Sequence, residues 1–253
     1  MEFNKQTSTV RSSASEAIID QGLRSYMLKV YNYMASGVLL TGILSILFFN
    51  LAGGYNIQVS QGGISGLSNI GYAIYASPLK WVVMFAPLAV VFYMSFGIAK
   101  MSAYKAQTVF WIFAALMGIS LSSIFIQFTG ESIARVFFIT SGTFGAMSIY
   151  GYTTKKDLTK LGSFLIMGLF GIIIASLVNL FLNSPQMYFI ISILGVLIFV
   201  GLTAYDTQKI KNMYLVSDSG ELMGKKAVMG ALTLYLDFIN LFIMLLRLFG
   251  QRR

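Results

Sequence analysis

Two carboxylates and one amine stand where a hydrophobic chain has least reason to keep them. The run Ala227 to Leu248, AVMGALTLYLDFINLFIMLLRL, carries an aspartate, Asp237, near its middle. A bilayer crossing needs about 20 apolar residues, so this run is long enough to span. A carboxylate at that depth costs about 2.5–3.5 kcal/mol on insertion scales and marks function by default. A second aspartate, Asp206, ends the preceding apolar run, and Lys100 ends an earlier one. Two close carboxylates in a low dielectric cannot both ionise cheaply, so together they make a proton switch. Their oxygens also suit a hard cation such as Ca²⁺, and cation and proton would compete for them. A lysine from another helix can pair with one carboxylate and lock the bundle.

Plainer readings stand beside each residue. Asp237 can be glue, hydrogen-bonded across helices to hydroxyls or amides. Asp206 can be an interfacial carboxylate paired with Lys209 or water. Lys100 can be a flanking lysine that reaches for the surface. Glu131 and Arg135 have the i,i+4 spacing of a surface pair.

The elements that must position these groups follow from composition. The chain has 253 residues, 57% hydrophobic and 11% charged, and a mean hydropathy of +0.75. Soluble domains carry about 25% charged residues, so this is an integral membrane protein. With neither Cys nor His, disulfides, thiol chemistry and His-based metal sites are excluded. Any pH response must then come from a carboxylate or an amine. The net charge of +9 is spread over short connections, which argues against nucleic-acid binding.

Seven apolar spans are expected, at about 30–53, 79–99, 108–128, 133–152, 161–182, 187–205 and 227–248. Residues 1–29 read as a polar cytoplasmic tail and 30–253 as one transmembrane domain. Residues 54–78, rich in Gly, Ser, Asn and Ile, read as an uncharged loop. Helical spacing puts Gly230, Thr233, Asp237 and Asn240 on one face of the last helix, with Leu234, Phe238, Leu241 and Leu245 on another. One polar stripe on a greasy surface belongs inside a bundle, so the C-terminal helix is expected to be central. Lys and Arg concentrate in the tail and after spans two, four and six, which places the N-terminus in the cytoplasm. Arg252 and Arg253 resist this pattern if the last run spans fully. A re-entrant last segment is the alternative, and length favours the full span.

The stretch Leu234–Gly250, LYLDFINLFIMLLRLFG, resembles the C-terminal signature of the Bax inhibitor-1 family in its bacterial branch. TAYDTQKIK at 203–211 resembles the family's sixth-helix motif, and FTGESIARVFF at 128–138 and YTTKKDLTKLGSFL at 152–165 fit its fourth helix and following loop. The resemblance implies an all-α bundle of seven transmembrane helices with the last one central. It also implies a pH-sensitive calcium leak whose two-aspartate sensor maps onto Asp206 and Asp237. In relatives a basic residue near the end of the second helix latches the sixth-helix aspartate. That residue is an arginine there and Lys100 here, and a lysine lacks the bidentate fork. Eukaryotic relatives suppress stress-induced cell death, and some bacterial ones modulate a membrane-bound AAA protease.

The expected protein is thus a cation leak of the cell inner membrane, not an enzyme, with no cofactor. Its partners would be lipid, protons and Ca²⁺, the last as a transported or bound ion. An intramembrane aspartyl protease would need Gly-x-Gly before its second aspartate, but Asp237 follows Leu234-Tyr235-Leu236. A non-transporting regulator of another membrane protein, such as a membrane protease, is the other alternative.

Overall fold

A computed structural model describes the backbone of residues 3–60 and 63–253, and the side chains of 20–59 and 63–253. The expected tail therefore lies largely outside the described side chains. Among the described residues, seven helices are long and apolar enough to cross a membrane. They are α1 (Phe3–Leu51), α2 (Leu79–Gly97), α3 (Ala103–Leu121), α4 (Gly130–Thr153), α5 (Thr159–Leu182), α6 (Pro185–Asn212) and α7 (Gly220–Phe249). The first helix runs through position 30 without a break, and Asp20–Leu51 of it is long and apolar enough to cross a membrane.

Local chemistry sets the ends. The hydroxyls of Ser102, Thr129, Ser184 and Ser219 accept from the backbone N–H three residues on and cap α3, α4, α6 and α7. Such residues satisfy donors that the first helical turn leaves unpaired. Pro185 at the first position of α6 has no N–H to satisfy. Asn183 ends α5 in the left-handed region, φ 48°.

The 54–78 connection is more ordered than a loop. Strands β1 (Gln58–Ser60) and β2 (Gly63–Ser65) pair antiparallel, with Val59 opposite Ile64. A helical turn at Asn69–Gly71 runs on into a wider turn at Tyr72–Ala76.

Packing is most extensive between α6 and α7, and α7 also contacts α1, α3 and α4. Of the apolar window of α7, 72% is buried, against 11% for α2, whose main helical neighbour is α3. Of the two faces of α7 named from its sequence, Leu234, Phe238, Leu241 and Leu245 are buried on one, while on the other Gly230 and Asp237 are buried and Thr233 and Asn240 half-buried. Two glycines let backbones close up. A Cβ on Gly151 would sit 2.2 Å from the Ala204 carbonyl oxygen, so α4 and α6 touch there. A Cβ on Gly118 would meet the Thr41 carbonyl at 2.9 Å, which does the same for α3 and α1. Small residues at such crossings replace the hydrophobic drive that lipid removes.

The last helix is unbroken over 30 residues, about 45 Å. Beyond it, Thr129 N–H donates to Gln251 O (2.9 Å) and Arg253 N–H to Gln127 O (3.0 Å). The last run is therefore one unbroken helix long enough to span, not a broken re-entrant segment, and its end lies beside the turn between α3 and α4.

Candidate functional site

The sixth apolar run ends at Tyr205, but α6 continues to Asn212. The polar residues after Asp206 leave the hydrocarbon without leaving the helix. Asp206 consequently lies six residues inside the helix end, about 9 Å. Its side chain is half-buried, while Asp237 is only 5% exposed.

The antiparallel pairing of α6 and α7 brings the two carboxyls together. Gly230 lies against Ile210, and further along the seam the Asp206 and Asp237 carboxyls lie close enough to act on one another. The Oδ2 of Asp237 is buried and has no hydrogen-bond partner. Among the described residues no cluster of three or more His, Cys, Asp or Glu could hold a metal ion. The pair supplies fewer oxygens than the six to eight Ca²⁺ takes, so a cation there would keep water or recruit carbonyls.

The structure does not bring Lys100 to this pair. Lys100 is exposed at the end of the turn after α2, with no ion pair among the described residues. Lys225 Nζ donates to Ala99 O (3.4 Å), which sets Lys100 level with the start of α7. Asp237 is twelve residues further on, about 18 Å along the helix. The cation whose charge reaches Asp206 is Lys209, one turn along α6. Lys209 itself lies 5.9 Å from the Tyr205 ring centroid. Glu131 and Arg135 form the expected exposed pair at 2.9 Å.

Several polar groups around the pair are not evident from the sequence. Tyr235, two residues before Asp237 and fully buried, shares a 2.7 Å hydrogen bond with Thr41. Thr41 Oγ1 donates in turn to Ala114 O at 2.8 Å. Its one proton is used there, so Tyr235 O–H must be the donor to Thr41. Beside Asp206, Thr207 bonds Ser148 (3.0 Å), which bonds Tyr31 (2.6 Å). Only a hydroxyl inside an apolar span signals these residues, and their partners come from distant helices.

At the end of the bundle nearer Asp206, side chains tie the helices together. Lys226 bonds Asp218 (2.7 Å) and Met213 O (2.8 Å). Glu221 accepts from Ala103 N–H (2.6 Å). In the α4–α5 connection, Asp157 Oδ1 accepts from the N–H (2.9 Å) and hydroxyl (2.6 Å) of Thr159. Those bonds hold the Asp157 carboxyl below its ordinary range.

Seven apolar helices, with two neighbouring aspartates between the sixth and seventh, define a polytopic membrane protein. The family described as inhibitor of apoptosis-promoting Bax1 matches residues 23–253, and the chain belongs to this Bax inhibitor-1 family. It is 47% identical over 247 residues to the protein RP147 of Rickettsia prowazekii, covering 98% of each chain. It is 44% identical over 247 residues to the inner membrane protein YbhL of Escherichia coli, covering 96% of this chain and 99% of that one. A Streptococcus pyogenes membrane protein, SpyM3_0260, is 37% identical over 232 residues, covering 92% and 95%.

Proposed function

We propose that this protein is a pH-sensitive cation leak, for Ca²⁺, in a bacterial inner membrane, with Asp206 and Asp237 as the ion and proton site. The observation that carries the reading is their contact between α6 and α7, with Asp237 Oδ2 buried and unpartnered. With one proton shared, the pair carries a single negative charge. When both carboxyls are ionised, two adjacent anions repel in a low dielectric and need a cation. Ca²⁺ and protons therefore compete for one set of oxygens, and acid displaces the bound ion. Intramembrane carboxylates commonly mark ion pathways, and the relative YbhL, an inner membrane protein, supports the location. The N-terminus is cytoplasmic in this reading, by the distribution of Lys and Arg.

Lys100 acts as a latch only if α2 moves. That helix is the least buried of the seven, so a shift against α3 disturbs the fewest contacts. In the arrangement seen, Lys209 is the cation beside Asp206.

The test is calcium influx into proteoliposomes at several pH values, for wild type, Asp206→Asn and Asp237→Asn. Flux that depends on pH in wild type, and is lost or made pH-insensitive by either substitution, is the expected result. Equal flux and equal pH dependence in wild type and Asp237→Asn would overturn the reading. No flux above empty liposomes in any variant would favour a non-transporting regulator of another membrane protein. If transport is present, Lys100→Ala then separates a latch from a flanking lysine.

A further inference from the structure

The first and fourth spans part on the lipid side and leave a crevice of about 360 Å³. This lies in the size range of small-molecule sites, about 300–1,000 Å³. Leu39, Gly42 and Ile43 of α1 form one wall, Ala134 and Phe138 of α4 the other, and Phe238 of α7 is part of the floor. Leu39, Ile43 and Phe138 are 64%, 55% and 74% exposed, whereas Phe238 is 4% exposed. No charged side chain lines the crevice. In a bilayer such a slot borders acyl chains.

Its mouth is different. Phe125 and Gly130 line the upper end, and Arg253 donates to the Phe125 and Tyr55 carbonyls (3.3 and 3.4 Å). The Arg253 guanidinium lies 5.1 Å from the Tyr55 ring centroid. The Tyr55 hydroxyl in turn sits 3.4 Å from where a Gly130 Cβ would be. Arg252 is exposed beside it. Among the described residues neither arginine meets an Asp or Glu side chain, while the nearby Arg135 is balanced by Glu131. A positive mouth over an apolar slot complements a molecule with a phosphate head and a hydrocarbon tail.

We infer that this crevice is a binding site for an anionic phospholipid, one acyl chain lying between α1 and α4 and the phosphate at Arg252 and Arg253. A seated chain touches Phe238, the residue after Asp237. Association inside a bilayer rests on van der Waals fit rather than on the hydrophobic effect. Selectivity therefore comes from the shape of the slot and the charge at its mouth.

The test is native mass spectrometry of the purified protein with added dioleoylphosphatidylglycerol or dioleoylphosphatidylcholine. A Cβ on Gly42 meets nothing within 4 Å, so Gly42→Leu starts its side chain in open space and narrows the slot. Wild type should retain phosphatidylglycerol in preference to phosphatidylcholine. Gly42→Leu should weaken retention of both by about tenfold or more while keeping the wild-type melting midpoint. Arg252→Ala/Arg253→Ala should abolish the preference, and Arg253→Lys should keep it. Ala134→Phe fills the slot from the opposite wall and repeats the test if Gly42→Leu does not fold. Equal lipid retention by wild type and both filled variants would overturn the inference. So would equal retention of the two lipids by wild type, or a dimer that the filled variants dissolve, which would assign the slot to a second copy. None of these outcomes depends on calcium flux.

Discussion

Replacing Tyr235 by Phe tests whether the bonds around the aspartate helix are directional. Tyr235 donates to Thr41, and Thr41 passes its only proton to Ala114 O. Tyr235→Phe removes the first donor but leaves the second bond intact. Bonds between membrane helices average about 0.6 kcal/mol and reach about 1.7, which bounds this cost. Thr41→Val removes both bonds and strands the Tyr235 hydroxyl at 0% exposure, so its cost should be higher, about 1–3 kcal/mol. In the Tyr235→Phe background nothing is stranded, so Thr41→Val should cost less there, with a coupling of about 1 kcal/mol. Tyr235→Ala also deletes a ring packed 5.0 Å from Phe113 and 6.2 Å from Phe110, which costs about 3–5 kcal/mol. Reversible unfolding in mixed micelles, followed by circular dichroism, measures all four variants. A coupling within about 0.3 kcal/mol of zero would refute the hydrogen-bonded chain. So would a Tyr235→Phe cost as large as that of Tyr235→Ala.

Gly151→Leu drives a side chain into the Ala204 backbone and should destabilise by about 3 kcal/mol or more in the same assay. Its neighbour substitution Tyr150→Phe, at an exposed position, should be near neutral. Lys226→Ala leaves Asp218 buried without its cation and should cost about 3 kcal/mol; Asp218→Asn/Lys226→Ala should recover part of it. The Asp157 carboxyl should titrate, by carbon-detected NMR, below an ordinary aspartate. Because folding depresses this group, its bonds to Thr159 contribute stability above the unfolded aspartate range, and the contribution fades as pH falls through the lower folded value. An ordinary midpoint would show that the Thr159 bonds do not persist in solution.

The number and order of the helices were legible because each carries an apolar run of membrane length. The approach of Asp206 and Asp237 was legible too, because antiparallel neighbours place the end of one run beside the middle of the next. The end of α6 was misread at Tyr205 because hydropathy stops there, whereas backbone hydrogen bonding continues through TQKIKN. Lys100 stands next to Ala99, which Lys225 at the start of α7 contacts. Its distance from Asp206 was hidden, because packing of α2 on α3 rather than α6 has no signal in one sequence. The Thr41–Tyr235 and Ser148–Thr207 bonds were invisible for a related reason: a span holds several hydroxyls, and only the three-dimensional neighbour selects one. The β1–β2 hairpin was hidden in a segment whose Gly and Ser content reads only as connection.

The burial of the seventh helix bears on how the protein is made. Its partners α1, α3, α4 and α6 all precede it in the chain, so a ribosome delivers them to the membrane first. Until α7 arrives, the surfaces that will cover Asp237 face lipid or one another. The seventh helix carries a side chain that lipid accepts only at cost, and it is the span with the largest buried share. The carboxyl pair is thus enclosed only after every helix that α7 packs against has been made, and a nascent chain stalled before Gly220 holds Asp206 without its partner.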